Sequence, residues 1–346
     1  MLGRLLLVGI CLLMNHAIAS SPRFTTEAEL GELGLGGLQA FWQNTAEEGT
    51  FTSQDGLALH FAKLVSPAHD KAIILVNGRT ESYLKYQELA RDLYQNGYNL
   101  YLYDHRGQGL SPRLLDDPLM GHVDNFDDYV QDLEQFVQQQ VLTTPHERLY
   151  LLAHSMGGTI SALWLSDTQV RINAAALASP MMGIYLGPLP AWLAKGLVNV
   201  FQGGCRLLGK PACYVPGQGG GYEAPPFAEN QLTHSEPRYE LFRKLYRDQA
   251  GLQLGGPSLQ WLAQSFTAGE RAIARAHRIV APLLVLQAGA DVVVDNKAQD
   301  AFCKALKHCE GRGPRRIGRA AHELFFERDR YRRKALNKVL AFFDSN

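Results

Sequence analysis

Short apolar segments alternate with longer amphipathic segments from residue 49 to the end of the chain. The apolar segments are continuous rather than alternating, which is typical of strands buried on both faces of a parallel sheet. They occupy residues 72–78, 98–104, 148–154, 172–180 and 281–289. The segments between them, such as residues 83–97 and 123–141, have helical length and pattern. The alternation predicts a doubly wound α/β fold, with a mostly parallel central sheet and helices on both of its faces.

Further elements flank these strands or separate them. Residues 49–53 and 57–64 predict an antiparallel hairpin at the start of the sheet. Residues 314–327 predict a short edge strand and a loop, which a C-terminal helix follows. About a hundred residues, 181–280, contain no clear strand. An insertion of that length between two strands predicts a small helical cap or a lid.

The first twenty residues differ from the rest of the chain. A positive charge at Arg4 precedes the apolar residues 5–14, and an A-x-A pattern follows at residues 17–19. This is the layout of a secretory signal peptide, and its apolar stretch is too short to span a bilayer. We expect residues 1–19 to be removed by cleavage after Ala19, and the protein to be periplasmic or secreted. The alternative is an uncleaved segment that holds the protein at the inner membrane.

The charge balance argues against one class of partner. The chain has 34 Lys and Arg residues and 34 Asp and Glu residues, so its formal net charge is zero. Such a chain has no overall field to attract nucleic acid or an anionic membrane. We therefore expect no nucleic-acid partner, and any electrostatic specificity has to be local.

Cysteine spacing agrees with export. Without the leader, four cysteines remain in two close pairs. An even number in close pairs is typical of short-loop disulfides in an oxidising compartment. We expect Cys205 to pair with Cys213 and Cys303 to pair with Cys309. Four free thiols in a reducing compartment are the alternative.

A candidate nucleophile lies at the end of a predicted strand. The stretch YLLAHSMGGTISALWL, residues 150–165, nearly contains G-x-S-x-G, but Ala153 stands in place of the first glycine. That motif is the sharp strand-to-helix turn that exposes a nucleophilic serine. A match this short also occurs by chance. A functional Ser155 would need a base, an acid that orients the base, and oxyanion donors elsewhere in the chain.

The candidate acid and base follow from chain order. In enzymes with this turn, the acid and then the base come after the serine, at the carboxyl ends of strands. Asp291 directly follows the apolar segment 281–289 and is the expected acid, with Asp295 as the alternative. Only His308 and His322 come later than Asp291. His308 falls within a predicted helix, so His322, in the loop after the edge strand, is the expected base.

Two backbone N–H groups are expected to form the oxyanion hole. One belongs to Met156, which follows the serine at the start of a helix, where N–H groups lack intrahelical partners. The other is expected in the loop after residues 72–78, where Asn77 and Gly78 form a turn. We assign this second donor to the N–H of Arg79.

Several segments besides this turn resemble one family of enzymes. The resemblance covers roughly residues 48–345 and rests on AHSMGG, VNGRTESYLKYQELARDL, LYDHRGQGLSPR, GHVDNFDDYVQDL, LTHSEPRY and AHELFFERD. These segments resemble the bacterial lysophospholipases of the monoglyceride-lipase-like group of serine hydrolases. The resemblance implies a triad of Ser155, Asp291 and His322.

The resemblance also implies a domain organisation. It implies an α/β-hydrolase domain over residues 20–346, with a cap inserted at about residues 181–280 before the penultimate strand. The DHRGQG loop, residues 104–109, is expected to have a structural role, in which its charged groups brace the loops around the site.

The cap contains a helix of unusual composition. Residues 187–201 are apolar nearly all round, with Lys195 and Asn199 forming one narrow polar stripe. We expect this helix to line an acyl-chain pocket or to touch a lipid surface; the alternative is that it forms the core of the cap. The candidate substrate contacts on it are Trp192, Leu193 and Leu197.

Basic residues concentrate in the second half of the cap. They are expected either to attract a lipid phosphate or to form solvated helix faces. These residues are Arg238, Arg243, Lys244, Arg247, Arg271, Arg275 and Arg278.

Together these features predict a serine hydrolase that cleaves the fatty-acyl ester of lysophospholipids or monoacylglycerols. The expected partner is a lipid with a single acyl chain, with peripheral membrane contact through the cap. No metal-ligand motif is present in the sequence, and a triad requires no cofactor.

A general carboxylesterase or a serine peptidase on the same fold is the nearer alternative, because fold and triad do not determine the substrate. A non-catalytic binding protein is the more distant one. The sequence leaves the oligomeric state open.

Overall fold

The computed structural model describes residues 21–346, so the predicted signal peptide lies outside the described residues. Its central sheet has eight strands in the order β1-β2-β4-β3-β5-β6-β7-β8. Strand β2 pairs antiparallel with β1 and β4, and the other neighbours pair in parallel. The strands are β1 Glu47–Thr52, β2 Ala58–Leu64, β3 Lys71–Val76, β4 Tyr98–Tyr103, β5 Arg148–His154, β6 Ala174–Ala178, β7 Leu283–Ala288 and β8 Arg315–Ile317. The predicted α/β architecture is confirmed.

Helices cover both faces of the sheet. They are α1 Glu27–Thr45, α2 Gln87–Gln95, α3 Phe126–Phe136, α4 Met156–Asp167, α5 Ala191–Leu207, α6 Glu236–Asp248, α7 Leu259–Arg275, α8 Asn296–Ala305 and α9 Asp329–Asp344. A 3₁₀ turn at Tyr83–Tyr86 leads into α2, and a π-helical turn at Val137–Val141 extends α3. The predicted helical segments 83–97 and 123–141 therefore each contain two helical elements.

Alternate residues of the buried strands pack into two apolar cores, one on each face of the sheet. In β3, Ile74 and Val76 pack with α3, α4, α7 and α8, whereas Ile73 and Leu75 pack with α2 and α9 on the other face. Side chains alternate between the faces of a strand, so a strand covered on both faces has to be apolar throughout. This explains why the parallel strands appear as continuous apolar segments in the sequence.

Helix α1 is an element that the hydrophobic pattern did not predict. It contains four glycines, and Gly34 kinks it with a φ of 59°. Thr26 and Glu29 form a capping box at its start, and Leu38 and Trp42 are buried. The helix packs against α2 and α6. Glycine lowers helix propensity by about 1 kcal/mol per residue, so the stability of this helix depends on its packing against the rest of the protein.

Three helices, α5, α6 and α7, lie between β6 and β7. Helix α7 packs against α4 and α8 of the main body as well as against α5, and α6 packs against α1. The sulfur atoms of Cys205 and Cys213 are bonded, which ties the end of α5 to the loop after it. A second bond joins Cys303 of α8 to Cys309. None of the helices in residues 21–346 combines the length and apolarity needed to cross a bilayer.

Candidate active site

Ser155 lies in a strained turn between β5 and α4. Its φ of 50° and ψ of −119° are unfavourable for a residue with a side chain, and such strain costs about 1–3 kcal/mol. The turn is possible because Gly157 brings α4 against the end of β3. A Cβ atom at Gly157 would overlap with the carbonyl oxygens of Val76 and Asn77. The glycine on the helix side is therefore required for close packing, whereas Ala153 is accommodated within the sheet core.

The side chains of Ser155, His322 and Asp291 form one chain of hydrogen bonds. The Ser155 Oγ lies 3.0 Å from Nε2 of His322, and Nδ1 of His322 lies 2.8 Å from Oδ2 of Asp291. His322 reaches the serine from the loop after β8, and Asp291 comes from the loop after β7. The imidazole can thus accept the serine proton on one nitrogen while the carboxylate orients the other.

Asp291 is held as a carboxylate. Its Oδ1 accepts hydrogen bonds from the N–H groups of Val293 at 2.9 Å and Val294 at 3.1 Å. Burial on its own raises the pKa of Asp291, but the hydrogen bond and charge of His322, together with these two N–H groups, outweigh burial and lower the pKa below its ordinary value. Asp291 is therefore ionised in the folded protein at neutral pH.

The structure separates both alternative residues from the serine. Asp295 caps the N-terminus of α8, where its side chain accepts a hydrogen bond from the N–H of Lys297. His308 is exposed and lies beyond the end of α8 at Ala305, so its predicted position within a helix is wrong. The chain turns there toward Cys309, which is bonded back to α8.

Two backbone N–H groups next to the nucleophile in the chain or in space have no hydrogen-bond acceptor among the described residues. The N–H of Met156 is the first of α4, and the N–H of Arg79 belongs to the loop after β3; neither donates a hydrogen bond within the described residues. This loop lies against the serine, because a Cβ atom at Gly78 would be 3.2 Å from the Cβ of Ser155. The N–H of Gly78 itself donates to Glu81 at 2.5 Å. The oxyanion hole formed by these two N–H groups therefore stays a prediction, which the position of the loop beside Ser155 supports.

The DHRGQG loop supports the loop after β3, residues 77–82, which we call the oxyanion loop. The carboxylate of Asp104 accepts hydrogen bonds from the N–H groups of Tyr83 at 2.6 Å and Leu110 at 2.7 Å. The side-chain amide of Gln108 donates to the carbonyl oxygens of Gly78 and Glu81, at 2.7 and 2.8 Å. Burial raises the pKa of Asp104 to about 7 despite these donors. The loop therefore has the structural role that was expected, but the bracing comes from the uncharged Gln108 as well as from the charged Asp104.

A buried ion cluster next to the base was not predicted. Nζ of Lys85 lies 2.7 Å from Glu81 and 2.6 Å from Glu323, the residue that follows His322. Burial lowers the pKa of Lys85, but these two carboxylates outweigh burial and raise it. The cluster connects the oxyanion loop to the loop of the base. Its sequence signal is weak: Lys85 lies between Leu84 and Tyr86, but Glu81 lies between the polar residues Thr80 and Ser82.

A cavity of about 670 Å³ opens above Ser155 and His322. Its walls are mainly apolar and come from α5, α7 and the loops beside them, including Leu189, Leu197, Val198, Phe201, Leu262 and Phe266. On α5, the lining residues Ala194, Leu197, Val198 and Phe201 follow the i, i+3, i+4, i+7 spacing of one helical face. This volume lies within the usual range for sites of small amphiphilic ligands.

The predicted substrate contacts need correction at two positions. Leu197 lines the cavity, but Trp192 and Leu193 do not. Trp192 is 74% exposed and Leu193 is 36% exposed. Both lie in the first turn of α5, which begins at Ala191, and Trp192 lies on a different face of the helix from Leu197. The helix therefore has one face toward the cavity and another toward solvent.

The concentration of positive charge in the cap is mostly neutralised. Arg238 is buried against Glu88 and Asp329 rather than exposed to an anion. Arg243 has no carboxylate partner in residues 21–346 and stacks on aromatic rings instead. The remaining pairs are Lys244 with Asp248, Arg247 with Glu240, Arg271 with Asp127, and Arg275 and Arg278 with Asp167. These residues therefore do not form one patch of unpaired positive charge that could attract a lipid phosphate. In the described part of the chain, no three His, Cys, Asp or Glu side chains are grouped where they could share a metal ion.

The fold and this constellation define a serine hydrolase of the α/β-hydrolase class. A family model described as serine aminopeptidase, S33, matches residues 67–329. The chain belongs to this family.

Two curated relatives match most of the chain. The chain is 40% identical to lysophospholipase L2 of Escherichia coli strain K12 over 324 residues, which cover 92% of this chain and 94% of that protein. It is 35% identical to the probable lysophospholipase L2 of Haemophilus influenzae over 293 residues, covering 83% and 89%. The resemblance to bacterial lysophospholipases is confirmed, and the protein is a carboxylic-ester hydrolase.

Solved structures support the fold. The monoacylglycerol lipase of Paleococcus ferrophilus superposes with a TM-score of 0.63 at 19% identity, covering 83% of this chain and 99% of that one. A soluble variant of monoglyceride lipase from Saccharomyces cerevisiae superposes with a TM-score of 0.64 at 15% identity, covering 86% and 95%. At these identities the likeness shows the α/β-hydrolase fold.

Proposed function

We propose that this protein hydrolyses the fatty-acyl ester of single-chain glycerolipids, with lysophospholipids as its main substrates. The observation that carries the proposal is the hydrogen-bonded chain of Ser155, His322 and Asp291 at the base of an apolar cavity of about 670 Å³. The names of the two relatives at 40% and 35% identity support the choice of lysophospholipids.

The geometry supports a two-step acyl transfer. The Ser155 Oγ attacks the ester carbonyl while Nε2 of His322 takes its proton, and the carbonyl oxygen gains negative charge beside the N–H groups of Arg79 and Met156. The C–O bond to glycerol then breaks, and His322 returns the proton to the leaving glycerol oxygen. A water molecule, deprotonated by His322, next attacks the acyl-enzyme. The bond between the acyl carbon and the Ser155 Oγ breaks, His322 returns the proton to Oγ, and the fatty acid is released.

A substrate panel tests this proposal. We expect the purified protein to release fatty acid from lysophospholipids and monoacylglycerols faster than from intact phospholipids or short-chain esters. Ser155→Ala should abolish both this activity and labelling by a fluorophosphonate probe. Cleavage of aminoacyl amides without cleavage of lysolipids would instead identify a peptidase, and cleavage of short esters alone would identify a general carboxylesterase.

We also propose that the protein is exported and that α5 contacts a membrane. The sequence pattern of residues 1–19 supports export. Membrane contact is supported by the outer face of α5 and its end, where Trp192, Val200 and Leu207 are all at least 70% exposed. The mass of the protein purified from cell fractions tests export. A periplasmic or secreted product that begins at Ser20 is expected, and a full-length product at the inner membrane would contradict cleavage.

A further inference from the structure

A second cavity adjoins the cavity of the triad. It has a volume of about 410 Å³ and lies between the oxyanion loop, α6 and the glycine-rich segment at residues 217–221. The two cavities lie side by side, because six residues line both of them: Arg79, Thr80, Gln218, Leu232, Pro257 and Glu323. The first cavity is mainly apolar, whereas the second is lined by both charged residues and apolar or aromatic ones, the charged ones being Arg79, Lys85, Glu223, Arg243 and Glu323. An amphiphile cleaved at Ser155 could place its two halves in these two spaces.

Arg79 lies at the boundary of the two cavities with its charge unpaired. Nη2 donates to the carbonyl oxygen of Gly255 at 2.8 Å, and Nε is buried without a hydrogen-bond partner. The guanidinium lies over the ring of Trp261, 5.0 Å from its centroid. No carboxylate of residues 21–346 pairs with it, and burial lowers the pKa of Arg79 to about 10, so it remains charged at neutral pH. A buried unpaired cation is costly unless an anion occupies the site.

Arg243 adds a second cation to the same cavity. It donates to the hydroxyl of Tyr222 at 2.9 Å and to the carbonyl oxygen of Glu223 at 3.1 Å, and its Nε is also buried without a partner. Its guanidinium stacks on Tyr239 and Phe242, each 4.9 Å away. Neither of its hydrogen bonds neutralises its charge.

The other charged groups around this cavity do not cancel the two arginines. Lys85 and Glu323 are bound to each other, with Glu81 as the second partner of the lysine. The carboxylate of Glu223 belongs to an exposed residue at the rim. Oε2 of Glu323 is buried without a partner, so it can accept a hydrogen bond from a hydroxyl group. The cavity therefore offers two cations and one free acceptor to a ligand.

We propose that this cavity binds the glycerophosphate part of a lysophospholipid, with the side chains of Arg79 and Arg243 as phosphate ligands. The inference rests on the proposed function and specifies its substrate. In a lysophospholipid the phosphate is separated from the acyl ester by one glycerol unit. Arg79 is suited to this spacing, because it belongs to the loop beside Ser155 and lines both cavities. A monoacylglycerol has no phosphate and gains nothing from these cations.

The ratio of two activities tests the proposal. The kcat/KM for a lysophospholipid is divided by the kcat/KM for a monoacylglycerol with the same acyl chain. Losing a hydrogen bond to a charged group costs about 10- to 100-fold, so we expect Arg79→Gln and Arg243→Gln each to lower this ratio by that amount. A displaced oxyanion loop would lower both activities alike and leave the ratio unchanged. Arg247→Gln is the matched control, because Arg247 is half-exposed on the same helix as Arg243 and does not line the cavity.

Direct binding separates this inference from the proposed function. Ser155→Ala protein is titrated with sn-glycerol 3-phosphate and, in parallel, with glycerol. We expect it to bind the phosphate ester more tightly than glycerol, and Arg79→Gln in that background to abolish the difference. This measurement needs no turnover, so it decides the inference even if neither lipid is hydrolysed, a result that would overturn only the proposed function. Equal binding of the two ligands, or an unchanged ratio in both arginine variants, would overturn the inference.

Discussion

At the scale of single residues, the two aspartates after β7 are chemically identical and only four positions apart. Asp291 is bound to the imidazole of His322, whereas Asp295 caps α8. An Asp291→Asn change cannot keep the imidazole in the correct tautomer, so we expect kcat to fall by about 10⁴. Asp295→Asn keeps a good helix cap and should retain nearly full activity. Steady-state hydrolysis of one lysophospholipid by both variants is the measurement, and a comparable loss in the two would refute this assignment of roles.

The buried carboxylate of Asp104 predicts a specific pH dependence. Burial raises its pKa to about 7 in the folded protein, from an ordinary value of 3.8 in the unfolded chain. The folded state thus binds the proton more tightly, and this stabilisation is complete below pH 4 and is lost as the pH rises through 7. The loss amounts to at most about 4 kcal/mol.

Asp104→Asn provides the comparison for this titration. The amide has a single acceptor oxygen for the N–H groups of Tyr83 and Leu110, so the variant is less stable at low pH. We expect the difference in unfolding free energy between wild type and variant to shrink between pH 4 and pH 7, as measured by urea denaturation at each pH. A difference that stays constant across this range would show that Asp104 does not titrate there.

At the scale of elements, the hydrophobic pattern of α5 predicts that a helix forms but not how its faces are oriented. The pattern predicts an apolar helix in residues 187–201, whereas α5 runs over Ala191–Leu207, so the predicted bounds are too early at both ends. A helix that is apolar nearly all round also does not show which of its faces points to the cavity. The structure directs Leu197 to the cavity and leaves Trp192 exposed. The strands were easier to predict, because burial on both faces leaves one unambiguous pattern. Helix α1 was missed for the opposite reason, since its glycines give it weak local preference.

The two faces of α5 predict two separable effects. Replacing both Trp192 and Val200 by serine removes exposed apolar surface, so we expect binding to phospholipid vesicles to weaken by about tenfold or more. The substitution Leu197→Gln places a polar group in the cavity and should instead raise KM for long-chain substrates in detergent micelles. Vesicle co-sedimentation and micellar kinetics measure the two effects independently. Unchanged vesicle binding in the double serine variant would contradict membrane contact through this helix.

At the scale of the whole molecule, buried ion pairs join elements that are far apart in the chain. Arg238 of α6 contacts Glu88 of α2 and Asp329 of α9, and Arg332 of α9 contacts Asp92 of α2 at 2.7 Å. Chain order and strand ends were enough to predict Ser155, Asp291 and His322, because all three occupy positions defined by the fold. The partners of Arg238 lie 150 and 91 residues away, so no local pattern could distinguish it from an exposed arginine.

Removing the charge of Arg238 should weaken the attachment of α6 to α2 and α9. Arg238→Gln leaves the carboxylate of Glu88 buried with only a longer contact to Arg332, at 3.5 Å. Breaking a buried pair on one side costs about 3–5 kcal/mol, and we expect that loss in the free energy of unfolding from urea denaturation. Arg247→Gln, on the same helix but in an exposed pair with Glu240, should cost at most about 1 kcal/mol. Because α6 also carries Arg243, which lines the second cavity of about 410 Å³, the Arg238 variant should lose the proposed binding of sn-glycerol 3-phosphate at lower urea than the control does. Equal stability of the two variants would mean that the buried network does not hold α6 in place.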